Sequence, residues 1–543
     1  CWWPTFKNNS RETKYRAVRS NNGWYERGKW LCSRTRTLSI GLEQHCRDLS
    51  SFETAGSGYA ISGNAVTINS EGTYELSGVN NNKKIIISSS CTVNLNSFTL
   101  INTDTLTPIL ISANKVVEFV LSGESTLKDS STNENEGVIY LQNGASLTIS
   151  GTGTLNINPT TYMAINGTQG TSLIVNDGAN IRVQSESTTV GGIYLRNGIT
   201  FNNAVYIYDC PNGKNHSIDS EGTIKLIKGK YSLNSGNGKG IQSEKDLYIG
   251  EEGGNDDDLL LSIITTNEGI EAMGITFYSG SISIDATEDG INAAAQGTEC
   301  DAQCSGNCVC YITFKGGKLN LTSGEDGIDS NGDITITGGQ IIVFASITTE
   351  DQPIDQDGLL NITGGAIIAA GTSSMGGVSG ETTQVAKVYT GTINAGDKLE
   401  VTDTNGNKII NINTTKAASY IYFNYKTSFI VKLNNVQVTL SEPSQGQQPG
   451  GGSGQGGMND PNSSDRQPFG PNDPNSSDRP GFGPNDPNSS DRPGFDPNSS
   501  DRQPTPSMNG NPSDSTVGQE KDGGFEILLK LSNILILLGL ILL

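Results

Sequence analysis

The sequence predicts an all-β solenoid, with short strands wound around one axis. Three observations carry the prediction. Alternating runs open on glycine, as in Gly280-Ser281-Ile282-Ser283-Ile284, Gly317-Lys318-Leu319-Asn320-Leu321 and Gly339-Gln340-Ile341-Ile342-Val343. Alternation sends one set of side chains inward and the other outward. The runs recur: 22 residues separate Gly317 from Gly339, and 21 separate Gly269 from Gly290, a solenoid period. Between them lies a repeated corner, Glu268-Gly269-Ile270-Glu271-Ala272, then Asp289-Gly290-Ile291-Asn292-Ala293, then Asp326-Gly327-Ile328-Asp329-Ser330. Stacked coils bring such corners about 4.8 Å apart.

Composition agrees. Among 543 residues, 67 are Gly and aromatics make up 6%, which suits short strands and tight turns. The net charge of −21 argues against nucleic acid and for cations or glycans as partners.

Residues 1–52 stand apart. They hold all four Trp residues, and ten Lys or Arg against four Asp or Glu; the rest of the chain has 26 against 53. They contain no apolar run of the kind a signal peptide needs. We read them as an unassigned basic leader that need not belong to the native protein. Residues 58–384 read as the β-helix. Its strands begin with Ala65-Val66-Thr67-Ile68, Gly72-Thr73-Tyr74-Glu75-Leu76 and Thr92-Val93-Asn94-Leu95, and no helical period interrupts them. Residues 385–441 lose the repeat and read as a small antiparallel β module that covers the open end of the solenoid. Residues 442–526 repeat Asn459-Asp460-Pro461-Asn462-Ser463-Ser464-Asp465-Arg466 from Asn472 and Asn485, at a period of 13. This composition cannot bury a core and reads as a disordered stalk. Residues 527–543 are an apolar run. Small residues at Ser513-Asp514-Ser515 and a polar spacer precede it, the order of a glycolipid-anchor signal. The alternative is a retained tail helix that ends flush with the membrane; either reading expects an extracellular protein anchored to the cell surface, with membrane attachment through the C-terminus only.

Aligned on their Gly or Ser, the corners form two columns. The first is His216, Lys239, Glu268, Asp289, Asp326 and Asp357; the second is Asp219, Gln242, Glu271, Asn292 and Asp329. Corner intervals are 23 residues from Ser217 to Gly240, then 29, 21, 37 and 31 to Gly358. Carboxylates therefore stack on carboxylates, at ~1 kcal/mol per like-charged pair in water and more where water is restricted. A divalent cation would reverse the sign, and calcium fits flexible all-oxygen sites. We expect calcium at Glu268, Glu271, Asp289, Asp326 and Asp329. The competing reading is a solvated acidic edge, with Asp capping turns and Gly at positive φ.

The 37-residue interval holds Cys300, Cys304, Cys308 and Cys310. Their spacing lacks paired zinc knuckles, so we expect disulfides stapling a loop, Gly297 to Tyr311, inserted between coils. Cys91 and Cys210 read as buried coil residues. The only histidines are His45 and His216, so no Ser-His-Asp or Cys-His arrangement is legible. No catalytic residue is assigned, although a lysine base such as Lys315 or Lys318 stays open.

The succession Ile68-Asn69-Ser70-Glu71-Gly72-Thr73-Tyr74-Glu75-Leu76-Ser77-Gly78, the runs Leu121-Ser122-Gly123-Glu124-Ser125-Thr126-Leu127 and Ile149-Ser150-Gly151-Thr152-Gly153-Thr154-Leu155, and the corners resemble one family. It is the bacterial-type family of carbohydrate-binding parallel β-helix proteins known for cellulose and acidic-sugar binding, and the resemblance spans about residues 60 to 440. It implies a right-handed parallel β-helix, calcium in the coils, and non-catalytic binding of a polysaccharide, cellulose or a pectic or other acidic glycan. His216 and Lys239 stand where that family favours acids. Tyr194, Tyr206, Tyr208, Tyr231, Tyr248 and Tyr278 are the candidates for stacking on sugar. The alternatives are a polysaccharide lyase or hydrolase of the β-helix type, and a structural adhesin with a protein partner.

Overall fold

The computed structural model describes residues 47–48, 58–103, 107–129, 136–294, 300, 309–346, 348, 351–371 and 380–443. The leader up to residue 46, the stalk and anchor from residue 444, and Cys304 and Cys308 lie outside the described residues. Every element described is a strand.

Each turn of the chain contributes to three parallel sheets. A corner strand such as Ile270–Ala272 continues into a second-sheet segment, Gly274–Phe277, and then a third-sheet strand, Ser281–Ala286. Successive turns pair in register. One inward column of the corner sheet runs Val66, Ile85, Ile109, Ile139, Ile165, Ile193, Ile218, Ile241, Ile270, Ile291, Ile328 and Ile354 without a slip. Nearly all members are Ile, whose branched Cβ packs well on a pleated surface. The second sheet carries a matching inward pair, Phe277 on Phe314, with ring centroids 4.5 Å apart and planes 3° from parallel. These side chains form one continuous hydrophobic core. Tyr206 and Tyr208 are fully buried in it and Tyr231 is 2% exposed. Three of the six stacking candidates therefore point away from any glycan, because they occupy inward positions of the third sheet.

Corner glycine is needed for space, not for positive φ. Gly240, Gly269, Gly290 and Gly327 are absent from the residues with left-handed backbone. A Cβ on Gly269 would come 2.5 Å from both the Gly290 carbonyl oxygen and Ile284 Cγ2. The corner strand and the third sheet close on each other there, and no side chain fits between them.

Register corrects the lower corner. Ile328 pairs with Ile354 and Asp329 with Asp355, and the Ile328 N–H donates to the Pro353 carbonyl. The corner after Gly327 is therefore Pro353, preceded by Gln352 and followed two places on by Asp355. Gly358 belongs to the next bend, its N–H bonded to Gly332 O at 3.0 Å. The inserted loop is corrected as well: Tyr311 is a strand residue paired between Gly274 and Asp333, so the insertion ends at Cys310. Cys300 and Cys310 form a disulfide. Cys210 is buried, whereas Cys91 is only partly so.

The C-terminal module lies on the last coil strand. Tyr420–Tyr425 pairs antiparallel with the last coil strand, Ala366–Gly371, and with Val385–Tyr389. A four-stranded sheet of 408–413, 398–403, 429–433 and 436–437 packs Leu399, Val401, Ile410 and Val431 against Ile342, Phe344 and Ile368. At the other end, Arg47–Asp48 pairs with Tyr74 and Glu75.

Candidate functional site

The corner sheet presents one continuous outward column. Tyr140 pairs with Asn166, Asn166 with Tyr194, Tyr194 with Asp219, and the column continues through Gln242, Glu271, Asn292 and Asp329 to Asp355. Its upper part is aromatic and its lower part acidic. Arg196 lies 5.1 Å from the Tyr194 ring centroid and 3.2 Å from Glu221, whose Oε1 accepts the Tyr194 hydroxyl at 2.8 Å.

The five expected ligands divide into two groups. Glu268 and Glu271 converge on Lys239, with Nζ 3.1 Å from Glu268 Oε2 and a direct contact to Glu271. Lys239 also donates its backbone N–H to His216 Nδ1 at 2.9 Å. Burial and the nearby lysine charge hold His216 down at about 4, so it is neutral at pH 7, with its proton on Nε2. Burial, then Glu244 and Glu221, pushes Asp219 up to about 7 against the pull of Lys239 and Arg196.

Below Lys239 nothing basic intervenes among the corner positions. Asp289 Oδ1 accepts the Asp326 N–H at 2.9 Å, and Asp326 Oδ1 accepts the Gln352 N–H. One oxygen each from Asp326, Asp329 and Asp355 lies within 4.8 Å of the others. Burial, reinforced by Asp326, pushes Asp289 up to about 7. Burial pushes Asp326 up to about 6, partly offset by the Gln352 hydrogen bond. Asp329 rises to about 8 through burial and then the charges of Asp289, Asp326, Asp355 and Asp357. Burial also raises Asp355. These shifts share one cause: carboxylates are taken out of water and placed beside one another.

Two oxygens bear on whether a cation fits. Asn292 Oδ1 and Asp355 Oδ1 are buried and have no hydrogen-bond partner among the described residues. An oxygen in that state carries the full cost of desolvation unless something else meets it. An all-oxygen set of flexible carboxylates and an amide is the donor chemistry of calcium. Sequence reading missed Asp355 because proline replaced the corner glycine. The run Ile354-Asp355-Gln356 beside Ile328-Asp329-Ser330 was the available signal.

Of the remaining candidate tyrosines, Tyr194, Tyr248 and Tyr278 are all partly exposed. Tyr194 sits on the corner sheet, while Tyr248 and Tyr278 lie on and beside the second sheet. Lys318, one possible base, is 3.4 Å from Asp256.

Residues 62–305 match the family model described as carbohydrate-binding domain-containing protein. The match covers the coils that carry Tyr140, Tyr194, Tyr248 and Tyr278, and stops short of Asp326. No curated protein matches the chain. Among solved structures it is similar to a polysaccharide lyase-like protein from C. thermocellum, crystallised as a gadolinium derivative. That similarity has 17% identity and a TM-score of 0.25, over 59% of this chain and 97% of the other. Among the described residues, no helix is long and apolar enough to cross a membrane.

Proposed function

We propose that the protein binds a polysaccharide without cleaving it, that calcium in the lower corners stabilises the fold, and that the β-helix is displayed at the cell surface. The observation that carries the reading is the carbohydrate-binding family match over residues 62–305, on coils that turn tyrosines outward. Retention of the full chain on insoluble cellulose or on pectate is the test. If neither retains it, with or without chelator, the binding reading fails.

Calcium is supported by the convergence of Asp326, Asp329 and Asp355 and by the unpartnered Asn292 and Asp355 oxygens. Asp289 is hydrogen-bonded to that group. Glu268 and Glu271 have Lys239 as their counter-charge, so on this reading they join the metal only if the lysine withdraws. Binding to the folded state raises the melting temperature with the logarithm of free calcium. A flat titration after chelator treatment rules the site out.

The raised carboxyls favour one second reading. Asp329, held near 8, keeps its proton at neutral pH, as a general acid must. Incubation with polygalacturonate decides it: new reducing or unsaturated ends make the protein an enzyme. Display rests on the apolar run at 527–543 and the spacer before it. Phosphatidylinositol-specific phospholipase is expected to release the protein from intact cells, and retention overturns the glycolipid anchor.

A further inference from the structure

We propose that the chain carries N-linked glycans on Asn320 and Asn413, where the third sheet meets the C-terminal module, and on no other asparagine among the described residues. The inference rests on the reading of the protein as displayed through a glycolipid anchor, because the secretory route that adds such an anchor also holds the oligosaccharide transferase.

That transferase accepts Asn-x-Ser or Asn-x-Thr, with x other than proline. Five such tripeptides lie among the described residues: Asn166-Gly167-Thr168, Asn215-His216-Ser217, Asn320-Leu321-Thr322, Asn361-Ile362-Thr363 and Asn413-Thr414-Thr415. A glycan is too bulky and polar to be buried, so the fold decides which acceptors it admits. Asn166 is 6% exposed. Asn215 donates Nδ2 to the Thr189 carbonyl at 2.9 Å, and Ser217 is fully buried with its hydroxyl 2.6 Å from Ser235 Oγ. Asn361 Oδ1 accepts the Glu381 N–H at 2.8 Å, which fixes a half-buried side chain. Asn320 and Asn413 are different. Both are exposed, and neither side chain makes a hydrogen bond among the described residues. Asn320 points outward from the third sheet because Leu319 and Leu321, on either side, point into the core. Asn413 ends the module strand Lys408–Asn413.

The two acceptors meet at one place. Both line a groove of about 380 Å³ that Ile342 and Phe344 also line. The Thr322 hydroxyl donates to that of Thr415 at 2.8 Å. Docking of the module therefore ties up both recognition hydroxyls, and transfer precedes it. In the transfer, Nδ2 attacks the anomeric carbon of a lipid-diphosphate oligosaccharide. A C–N bond forms, the C–O bond to the diphosphate breaks, one Nδ2 proton passes to solvent, and the lipid diphosphate leaves. The disulfide between Cys300 and Cys310 supports the same route, since such bonds persist in oxidising compartments.

The stalk repeat also holds the acceptor, at Asn462, Asn475, Asn488 and Asn498, so a glycan count on the whole chain does not test these two sites. Site-resolved mapping does. Full-length protein from the cells that make it is digested, treated with peptide N-glycosidase in heavy-oxygen water, and mapped by mass. Asn320 and Asn413 are expected to become labelled Asp, while Asn166, Asn215 and Asn361 stay Asn. Thr322→Ala is expected to abolish the label at Asn320 alone, and Thr322→Ser to keep it; mapping of the wild type needs neither variant to fold. Unlabelled Asn320 and Asn413, or a label on any of the other three, overturn the inference. If phospholipase still releases the protein in that case, the anchor reading stands. If no asparagine is labelled anywhere and phospholipase releases nothing, both fall together.

Discussion

The corner glycines show how one atom constrains this fold. Gly269 has ordinary backbone geometry, and its constraint is the 2.5 Å approach of a would-be Cβ to Gly290 O and Ile284. Gly269→Ala is expected to destabilise the protein by ~1–3 kcal/mol through overpacking, as read from a urea melt. The neighbouring Lys239 is a different kind of single-residue constraint. Its side chain is 18% exposed and those of Glu268 and Glu271 are 16% and 12% exposed. Such a pairing is worth more than a surface ion pair and less than a fully buried one. Lys239→Met is therefore expected to cost ~1–3 kcal/mol, recovered in part by calcium, because the cation would replace the lost counter-charge. Equal stability of the variant and the wild type would mean that Glu268 and Glu271 are a solvated edge.

At the scale of elements, the lower end of the solenoid differs from the rest. Ala366–Gly371 is buried on both faces, since the core lies on one side and the C-terminal module on the other. Its free edge is occupied by Tyr420–Tyr425. Without that strand, a row of unpaired backbone groups on an apolar segment would template aggregation. Ile421 is fully buried in the second core. Ile421→Ala is expected to cost ~2–5 kcal/mol and to produce concentration-dependent light scattering at temperatures where the wild type stays clear. A variant that melts early yet stays monodisperse would show that the module is not what protects the edge.

The whole molecule carries −21 charges, and the lower corners concentrate some of them. Asp289, Asp326 and Asp329 have folded values of about 7, 6 and 8, against ~4 in an unfolded chain. The metal-free fold therefore holds more protons than the unfolded chain between pH ~4 and ~8. Their contribution to stability is complete below pH ~4 and is lost as pH rises through that window. Metal-free wild type is expected to lose stability relative to Asp329→Asn as pH goes from ~5 to ~8, in paired thermal melts. Calcium requires the deprotonated ligands, so the calcium-induced rise in melting temperature is expected to be larger at the upper end of that range. A calcium effect independent of pH would place the metal elsewhere.

Much of this was written in local sequence. Alternation of Ile282 and Ile284 with Ser281 and Ser283 set which side chains face inward, because a strand has period two. The repeated acid-Gly-Ile corner set the stacking, because a solenoid coil contacts only its neighbours. The loss of repeat after residue 384 marked the covering module for the same reason. What local sequence left open depended on register and packing between coils. Pro353 hid the corner that brings Asp355 to Asp329, since a period is legible only while its marker residue persists. Tyr206 and Tyr248 look alike in sequence, yet the inward or outward phase of each strand buries one and exposes the other. Lys239 pairs with both Glu268 and Glu271 across coils, 29 and 32 residues away in sequence. Such a pairing is decided by which coil lies above which, and only the tertiary structure fixes that.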